Sequence, residues 1–244
     1  MDVSEFRRFG HRQRWINTPI DRRGLDEVLA RLPVQPGSKV CDLGCGTGAW
    51  LRALVDSGFE GACEGVDSDD LAIDEAVRLS EKYPSIRWQV GEGEAYLASA
   101  SGLGGVFCVG SSHALGGFQS ALSAIGGALS SGAWALVGEG FWENEPCEQY
   151  RSFLGGDLGL MSHAENVAAV ESQGFDCLWA TTATTRHWDD FEWDFYRVAR
   201  DWARENPQDI EASSTLEKRT AWRNAYLEWG RGTMGFGYYL LRKP

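Results

Sequence analysis

Helical and strand-like hydrophobic patterns alternate along the chain from residue 25 onward. Apolar residues recur with helical spacing at 25–32, 49–58, 71–83 and 118–129. Short apolar runs typical of buried strands occur at 40–43, 61–67, 86–92, 104–112 and 133–140. Because helices that alternate with strands are typical of crossover connections, this pattern predicts an α/β fold: a mostly parallel sheet with helices on both faces.

The C-terminal part of the chain continues this pattern and adds an aromatic-rich insertion. Ser162 and Glu165 form an S-x-x-E capping box that predicts a helix, and strand-like runs follow at 175–184 and 235–244. Between those runs, residues 186–232 hold five of the eleven tryptophans, at spacings that predict two helices. These aromatic side chains would either pack the helices onto the sheet or line a ligand pocket beneath a lid.

The segment KVCDLGCGTGAW combines a buried strand with a glycine-rich loop. Gly44, Gly46 and Gly48 follow the strand at every second position, and Asp42 stands two residues before the first of them. Glycine lets the backbone turn this tightly and approach a bound ligand closely. Gly44 and Gly46, together with Ala49, also satisfy the G-x-G-x-x-G/A fingerprint of NAD-binding domains.

The carboxylate of Asp42 distinguishes between two kinds of ligand. A dinucleotide brings an anionic pyrophosphate, which binds bare N–H groups at a helix N-terminus and would be repelled by a fixed carboxylate. A ligand that carries an ammonium and a sulfonium group would be attracted by it. The segment resembles motif I of the class I S-adenosylmethionine-dependent methyltransferases, whose pattern is an acidic residue followed by G-x-G-x-G.

This resemblance implies S-adenosylmethionine as cofactor and a Rossmann-like sheet of seven strands, of which the last two form an antiparallel pair at one edge. It implies that Asp67, at the end of the second strand, accepts hydrogen bonds from the ribose hydroxyls, and that Glu92 contacts the adenine amino group. The family commonly has Gly-Asp-Ala where this chain has Gly91, Glu92 and Gly93, and the acidic residue that usually opens the fourth strand is lacking. The cofactor-binding residues that we expect are Asp42, Gly44, Cys45, Gly46, Gly48, Asp67, Ser68, Gly91, Glu92, Gly93 and Gly110.

Three residues at the ends of the fourth and fifth strands are candidates for the methyl acceptor's site. His113 follows the fourth strand, and Glu139 and Trp142 lie at the end of the fifth. Because ligands of open α/β sheets bind outside the carboxyl ends of the strands, these residues converge on the expected pocket. Histidine readily accepts a proton near neutral pH, so His113 is the candidate catalytic residue; a structural, hydrogen-bonded loop histidine fits the pattern equally well.

Composition limits the domain organisation and the partners that we expect. The 244 residues suffice for a single domain, with an N-terminal cap segment at 1–24 and a helical lid-like insert at 186–232. The formal net charge of −12 argues against nucleic acid and anionic membranes as partners, although the run RRFGHRQR at 7–14 is locally basic. Neither a secretory signal nor an apolar run of about 18 residues occurs, so we expect a cytoplasmic protein. Six cysteines without C-x-x-C spacing and four scattered histidines predict neither disulfides nor a metal site.

The sequence therefore predicts an S-adenosylmethionine-dependent methyltransferase with a small-molecule acceptor. Three other functions stay open at this point. An oxidoreductase would bind NAD instead, a non-catalytic module would bind S-adenosylmethionine without turnover, and a protein methyltransferase would present a long open groove. The identity of the acceptor, the atom that is methylated and the oligomeric state leave no signal in the sequence.

Overall fold

Seven strands form one sheet in the computed structural model, which describes residues 15–244. Their bounds are β1 Lys39–Leu43, β2 Ala62–Asp67, β3 Ile86–Val90, β4 Leu103–Val109, β5 Leu129–Trp142, β6 Asp176–Thr182 and β7 Met234–Arg242. They lie side by side in the order β3-β2-β1-β4-β5-β7-β6. β7 runs antiparallel to both of its neighbours, and the other neighbouring pairs are parallel. This arrangement confirms the predicted fold class.

Helices connect the strands in the described part of the chain. Their bounds are α1 Arg22–Leu29, α2 Ala49–Asp56, α3 Asp70–Leu79, α4 Gly93–Ser99, α5 Phe118–Ala128, α6 Glu148–Leu154, α7 His163–Ser172, α8 Thr185–Glu205 and α9 Ile210–Ala225. A 3₁₀ helix follows β4 at Ser112–Leu115, and a π-helical turn follows α9 at Tyr226–Gly230. The sequence pattern did not predict α4 or α6, because each has seven residues and buries one side chain, Leu97 or Tyr150.

Side-chain caps fix where several helices begin. Ser162 and Glu165 form the predicted capping box at the start of α7, with both reciprocal hydrogen bonds present. At the start of α3, the carboxylate of Asp69 accepts a hydrogen bond from the Leu71 N–H at 3.1 Å. A second capping box, between Thr184 and His187, begins α8. Each such bond satisfies an N–H group that has no partner within its own helix.

The hydrophobic core lies in two layers, one on each face of the sheet. One layer includes Phe107, whose ring contacts those of Trp50 and Trp134, and is completed by α1 and α2. The other includes Leu122 and Ile125 of α5 and is completed by α7. Helices therefore cover both faces of the sheet, as the alternating sequence pattern predicts.

All six cysteines are free thiols, and Cys41, Cys45, Cys63 and Cys108 are buried in the manner of small apolar side chains. Within residues 15–244, no group of histidine, cysteine and carboxylate side chains is suited to hold a metal ion. In the same range, no helix combines the length and apolar character that crossing a bilayer requires. Residues 1–14 of the predicted cap segment, including its basic run, lie outside the described residues.

The strand order places a crevice at the carboxyl ends of β1 and β4. The chain passes from β1 outward to β2 and β3, and then returns to the other side of β1 to form β4 and β5. Loops that leave β1 and β4 consequently diverge toward opposite faces of the sheet. Ligands of open α/β sheets bind at such a reversal point.

Candidate functional site

The loop between β1 and α2 has a backbone that requires glycine. Gly44, Gly46 and Gly48 have φ angles of +66°, +52° and +80°, all in the left-handed region. A Cβ atom on Gly44 would lie 2.4 Å from Cβ of Ser111, and one on Gly48 would lie 2.0 Å from the ring of Trp88. Side chains at these two positions are thus excluded by conformation and by space.

Gly46 differs from its two neighbours because the space beside it is open. The nearest described atom to a Cβ at this position would be Nδ2 of Asn17, at 3.6 Å. Gly44 and Cys45 direct their N–H groups back to the carbonyl oxygen of Val66, at 2.8 and 3.1 Å. The loop is therefore held against β2, and Gly46 presents its open side where a ligand could approach.

Asp67 lies at the end of β2 and is hydrogen-bonded to the glycine loop. Its Oδ2 accepts a hydrogen bond from the Gly46 N–H at 2.7 Å, and its Oδ1 accepts one from the Asp69 N–H at 2.9 Å. These bonds fix the orientation of the carboxylate. Because each carboxylate oxygen can accept more than one hydrogen bond, Asp67 retains acceptor capacity for a pair of ligand hydroxyls.

Asp42 buries a carboxylate next to this loop. The residue is 2% exposed, and its Oδ2 has no hydrogen-bond partner among the described residues. Burial raises the pKa of Asp42 well above its ordinary range, and the negative charge of Asp67 raises that pKa further. A buried acceptor without a donor is costly, so this site favours a ligand that brings hydrogen-bond donors and positive charge.

The remaining predicted cofactor residues differ in exposure and in their contacts with the glycine loop and the ends of β2 and β3. Gly91 donates its N–H to the Asp67 carbonyl at 2.9 Å, which holds the β3 loop beside the end of β2. Glu92 and Ser68 have exposed side chains, and Glu92 occupies the N-cap position of α4, with Gly93 as its first residue. The Cys45 side chain is buried, with its Sγ 3.0 Å from where a Cβ on Gly65 would lie, so Cys45 lines the loop through its backbone.

The loop after β4 brings the predicted acceptor residues toward the same edge. Gly110 has a φ angle of +76°, and His113 is exposed on the 3₁₀ helix that follows. The Ser112 hydroxyl donates a hydrogen bond to Oε2 of Glu139, which is half-buried near the end of β5. Burial raises the pKa of Glu139 above its ordinary range, and the hydrogen bond from Ser112 partly opposes that shift.

Trp142 lies on the opposite face of β5 from Glu139. The two residues are three positions apart on one strand, and side chains alternate between the faces of a sheet. The Trp142 ring meets the ring of Tyr150 edge-on, with 6.3 Å between their centroids. Glu139 therefore lies on the face of β5 that the Ser112 hydroxyl reaches, and Trp142 lies on the face where it contacts Tyr150 of α6.

Two serines of the β4 loop also belong to this site, and the sequence pattern gave no reason to select them. Ser111 is 7% exposed, and its hydroxyl donates to the Leu43 carbonyl at 2.6 Å. This bond joins the end of β1 to the β4 loop, just where Ser111 packs on Gly44. Ser112 orients Glu139. The stretch VGSSHALGG contains both residues, but serine is common in loops of every kind.

Helices α8 and α9 form the insertion between β6 and β7. Trp188 packs against the core layer that contains Trp50, whereas Trp193 points outward and is 45% exposed. Phe191 and Phe195 contact each other with ring centroids 5.0 Å apart. Nε2 of His187 lies 3.6 Å from the carboxylate of Asp21, which connects the start of α8 with the segment before α1.

Comparison with known proteins agrees with this geometry. Residues 40–132 match the family model described as a methyltransferase domain. The chain is 24% identical to the uncharacterized protein YjhP of Escherichia coli strain K12, over 99% of each chain. The crystal structure of YjhP superposes with a TM-score of 0.87 at 23% identity, covering 98% of this chain and 100% of that one.

Two further crystal structures are similar along their whole length. They are S-adenosylmethionine-dependent methyltransferases from Geobacter sulfurreducens and Thiobacillus denitrificans, each in complex with S-adenosylhomocysteine. The TM-scores are 0.90 and 0.89, both at 23% identity. The superpositions cover 100% of this chain and 99% and 100% of those chains, respectively. Residues 40–132 therefore match a methyltransferase domain, and the whole chain shares the fold of these S-adenosylmethionine-dependent methyltransferases.

Proposed function

We propose that this protein transfers a methyl group from S-adenosylmethionine to a small-molecule acceptor. The observation that carries the proposal is the buried carboxylate of Asp42 beside a loop of left-handed glycines, with an oxygen that lacks a partner in the described structure. An anionic pyrophosphate would meet two carboxylates here, those of Asp42 and Asp67. The ammonium and sulfonium groups of S-adenosylmethionine are attracted by the same charges.

The expected cofactor residues have complementary roles in this proposal. Asp67 accepts hydrogen bonds from the ribose hydroxyls with the acceptor capacity that its two backbone bonds leave. Glu92 and Gly93, at the start of α4, lie where the adenine ring is expected. Asp42, Gly46 and the loop at Gly110 surround the methionine part. This assignment follows the order of β3, β2, β1 and β4 along the sheet edge.

Bound S-adenosylmethionine supplies a methyl group on a sulfonium, which is already a strong electrophile. The protein must therefore align the acceptor in line with that methyl group at roughly 3 Å and exclude water. A base is needed only where the attacking oxygen or nitrogen carries a proton that must leave. His113 is our candidate for that step, with Glu139 and Trp142 approaching the acceptor from the two faces of β5.

The acceptor that we propose is a small molecule in the cytoplasm. A net charge of −12 disfavours nucleic acid, and the aromatic residues of α8 and α9 suit the covering of a small or moderately hydrophobic compound. In this proposal the chain folds as one domain, with an N-terminal cap segment at 1–24 and a helical lid-like insert at 186–232.

Calorimetric titration with S-adenosylmethionine, S-adenosylhomocysteine and NAD tests the proposal. Micromolar binding of the first two and none of NAD supports it, and an acceptor screen that follows S-adenosylhomocysteine release then tests turnover. Binding of NAD alone indicates an oxidoreductase and refutes the argument from Asp42. Cofactor binding with no turnover on any small molecule favours a binding module, and turnover on polypeptides favours a protein methyltransferase.

A further inference from the structure

A short segment before α1 lies across the crevice between the glycine loop and the β4 loop. Nδ2 of Asn17 lies 3.6 Å from where a Cβ on Gly46 would be, and Cγ2 of Thr18 lies 3.8 Å from the equivalent point on Gly110. These two glycines belong to the loops after β1 and β4. Residues 17 and 18 therefore extend along the edge where the strand order reverses.

The neighbours of this segment hold it in place. Ile16 and Ile20 are 2% and 8% exposed and belong to the hydrophobic layer on that face of the sheet. Asp21 caps α1 by accepting a hydrogen bond from the Gly24 N–H at 2.7 Å, and it pairs with His187 at the start of α8. Packing on both sides thus fixes the position of Asn17 relative to the glycine loop.

Asn17 contributes a second buried oxygen that lacks a partner. Its Oδ1 is inaccessible to solvent and accepts no hydrogen bond from any described residue, as is the case for Oδ2 of Asp42. An amide oxygen buried without a donor is costly, and a ligand that supplies a donor removes that cost. Asn17 reaches the open side of Gly46, and Asp42 lies four residues before Gly46, so a ligand group with several N–H donors at this loop could satisfy both oxygens.

We propose that Asn17 is a cofactor-binding residue whose side-chain oxygen accepts a hydrogen bond from the α-ammonium group of S-adenosylmethionine. This inference rests on the proposed function. Asp67 and Glu92 lie at the ends of β2 and β3, on the side assigned to the adenosine. Asn17 lies between the β1 and β4 loops, on the side assigned to the amino-acid part. An ammonium group has three N–H donors and so can serve both Asn17 and Asp42.

Two ligands that differ in the amino-acid part provide the test. S-adenosylhomocysteine carries the α-ammonium group, whereas 5′-methylthioadenosine keeps the adenosine and sulfur and lacks the amino-acid end. We expect Asn17→Ala to weaken S-adenosylhomocysteine binding about tenfold in calorimetry and to leave 5′-methylthioadenosine binding unchanged. Asn17→Asp, which keeps an acceptor oxygen, should bind S-adenosylhomocysteine within about threefold of wild type.

Controls separate this role from a general effect on the fold. Asn224→Ala changes an exposed asparagine on α9 and should match wild type with both ligands. Thermal melting establishes that each variant folds. Wild-type affinity for S-adenosylhomocysteine in Asn17→Ala, or an equal loss for both ligands, overturns the inference. A wild-type protein that binds neither ligand instead refutes the proposed function.

Discussion

Alanine substitutions at the loop glycines separate backbone strain, steric overlap and ligand contact. Gly37 provides a matched control, because its φ angle is +73° and no described atom lies within 4 Å of where its Cβ would be. Gly37 lies in the turn before β1, at the opposite end of that strand from the site. Gly37→Ala consequently introduces left-handed strain alone, whereas Gly44→Ala and Gly48→Ala also introduce overlap.

The structure sets the order of the expected losses in the free energy of unfolding. A non-glycine residue in the left-handed region costs about 1–2 kcal/mol, which is the loss expected for Gly37→Ala. At Gly44 the new methyl group would lie 2.4 Å from Ser111 Cβ, which is fixed to the backbone, and overlap of this kind adds about 1–3 kcal/mol. We therefore expect Gly44→Ala to lose about 2–5 kcal/mol. Gly48→Ala should lose a similar amount, because the overlapping Trp88 ring is also packed against Gly65.

Gly46→Ala should behave differently from the other variants. Its surroundings are open, so its stability should match that of Gly37→Ala. Its methyl group, however, would occupy space that the cofactor needs, and affinity for S-adenosylhomocysteine should fall by at least about tenfold. Gly37→Ala should bind like wild type.

Urea denaturation and calorimetry measure the two quantities separately. Equal stability of Gly44→Ala and Gly37→Ala would show that the contact between the glycine loop and Ser111 is not as tight as described. Wild-type affinity in Gly46→Ala would show that Gly46 does not face the cofactor, and the arrangement proposed around it would then be wrong.

Three further predictions concern charged and titratable residues. Asp67→Ala should weaken S-adenosylhomocysteine binding at least about tenfold, or about 1.4 kcal/mol, in calorimetry; Asp69→Ala, which removes the cap of α3, should lower stability by about 1 kcal/mol and retain affinity. His113→Ala should slow release of S-adenosylhomocysteine in the acceptor assay while cofactor affinity stays within about twofold of wild type; loss of folding in a melting experiment would indicate a structural role. The pKa of Asp42 is raised in the folded state, so the ligand-free protein binds an extra proton above the ordinary carboxyl range, and its stability should fall as pH rises through that raised pKa. Asp42→Asn should abolish that decline in melting temperatures measured against pH, and an unchanged pH profile would contradict the assignment.

Most of the fold could be predicted from the sequence because its strands are buried and its helices are amphipathic. The exceptions have local causes. Helices α4 and α6 are short and each buries one side chain, so neither has a detectable period. β5 extends from Leu129 to Trp142, beyond the apolar run at 133–140 at both ends, because pairing with β4 begins at Leu129 and pairing with β7 continues to Trp142. Backbone pairing of this kind leaves no trace in hydrophobicity.

Some residues of the site could likewise be predicted from the local sequence, whereas others are recognised only from tertiary contacts. Asp42 and the glycine loop are contiguous in the sequence, and Asp67 follows at the end of the next strand, so a local pattern was enough to select them. Ser111 contacts the end of β1 although it lies 68 residues after Leu43 in the sequence. Asn17 contacts the glycine loop from the segment before α1. Their importance follows from tertiary contact alone, since neither residue type is distinctive in a loop.

The unpartnered oxygens near the glycine loop connect stability with ligand preference. Asp42 and Asn17 each bury an oxygen that no described donor satisfies, and Asp67 adds negative charge close by. Each such oxygen raises the free energy of the ligand-free folded state by about 1–3 kcal/mol, so stability alone would favour apolar residues at these positions. A donor-rich cation satisfies the oxygens with one group, whereas an anion increases the repulsion. Lower stability without ligand and selectivity for a cationic cofactor are therefore two consequences of one arrangement. Asp42→Asn should raise the stability of the ligand-free protein and weaken its selectivity for the cationic cofactor.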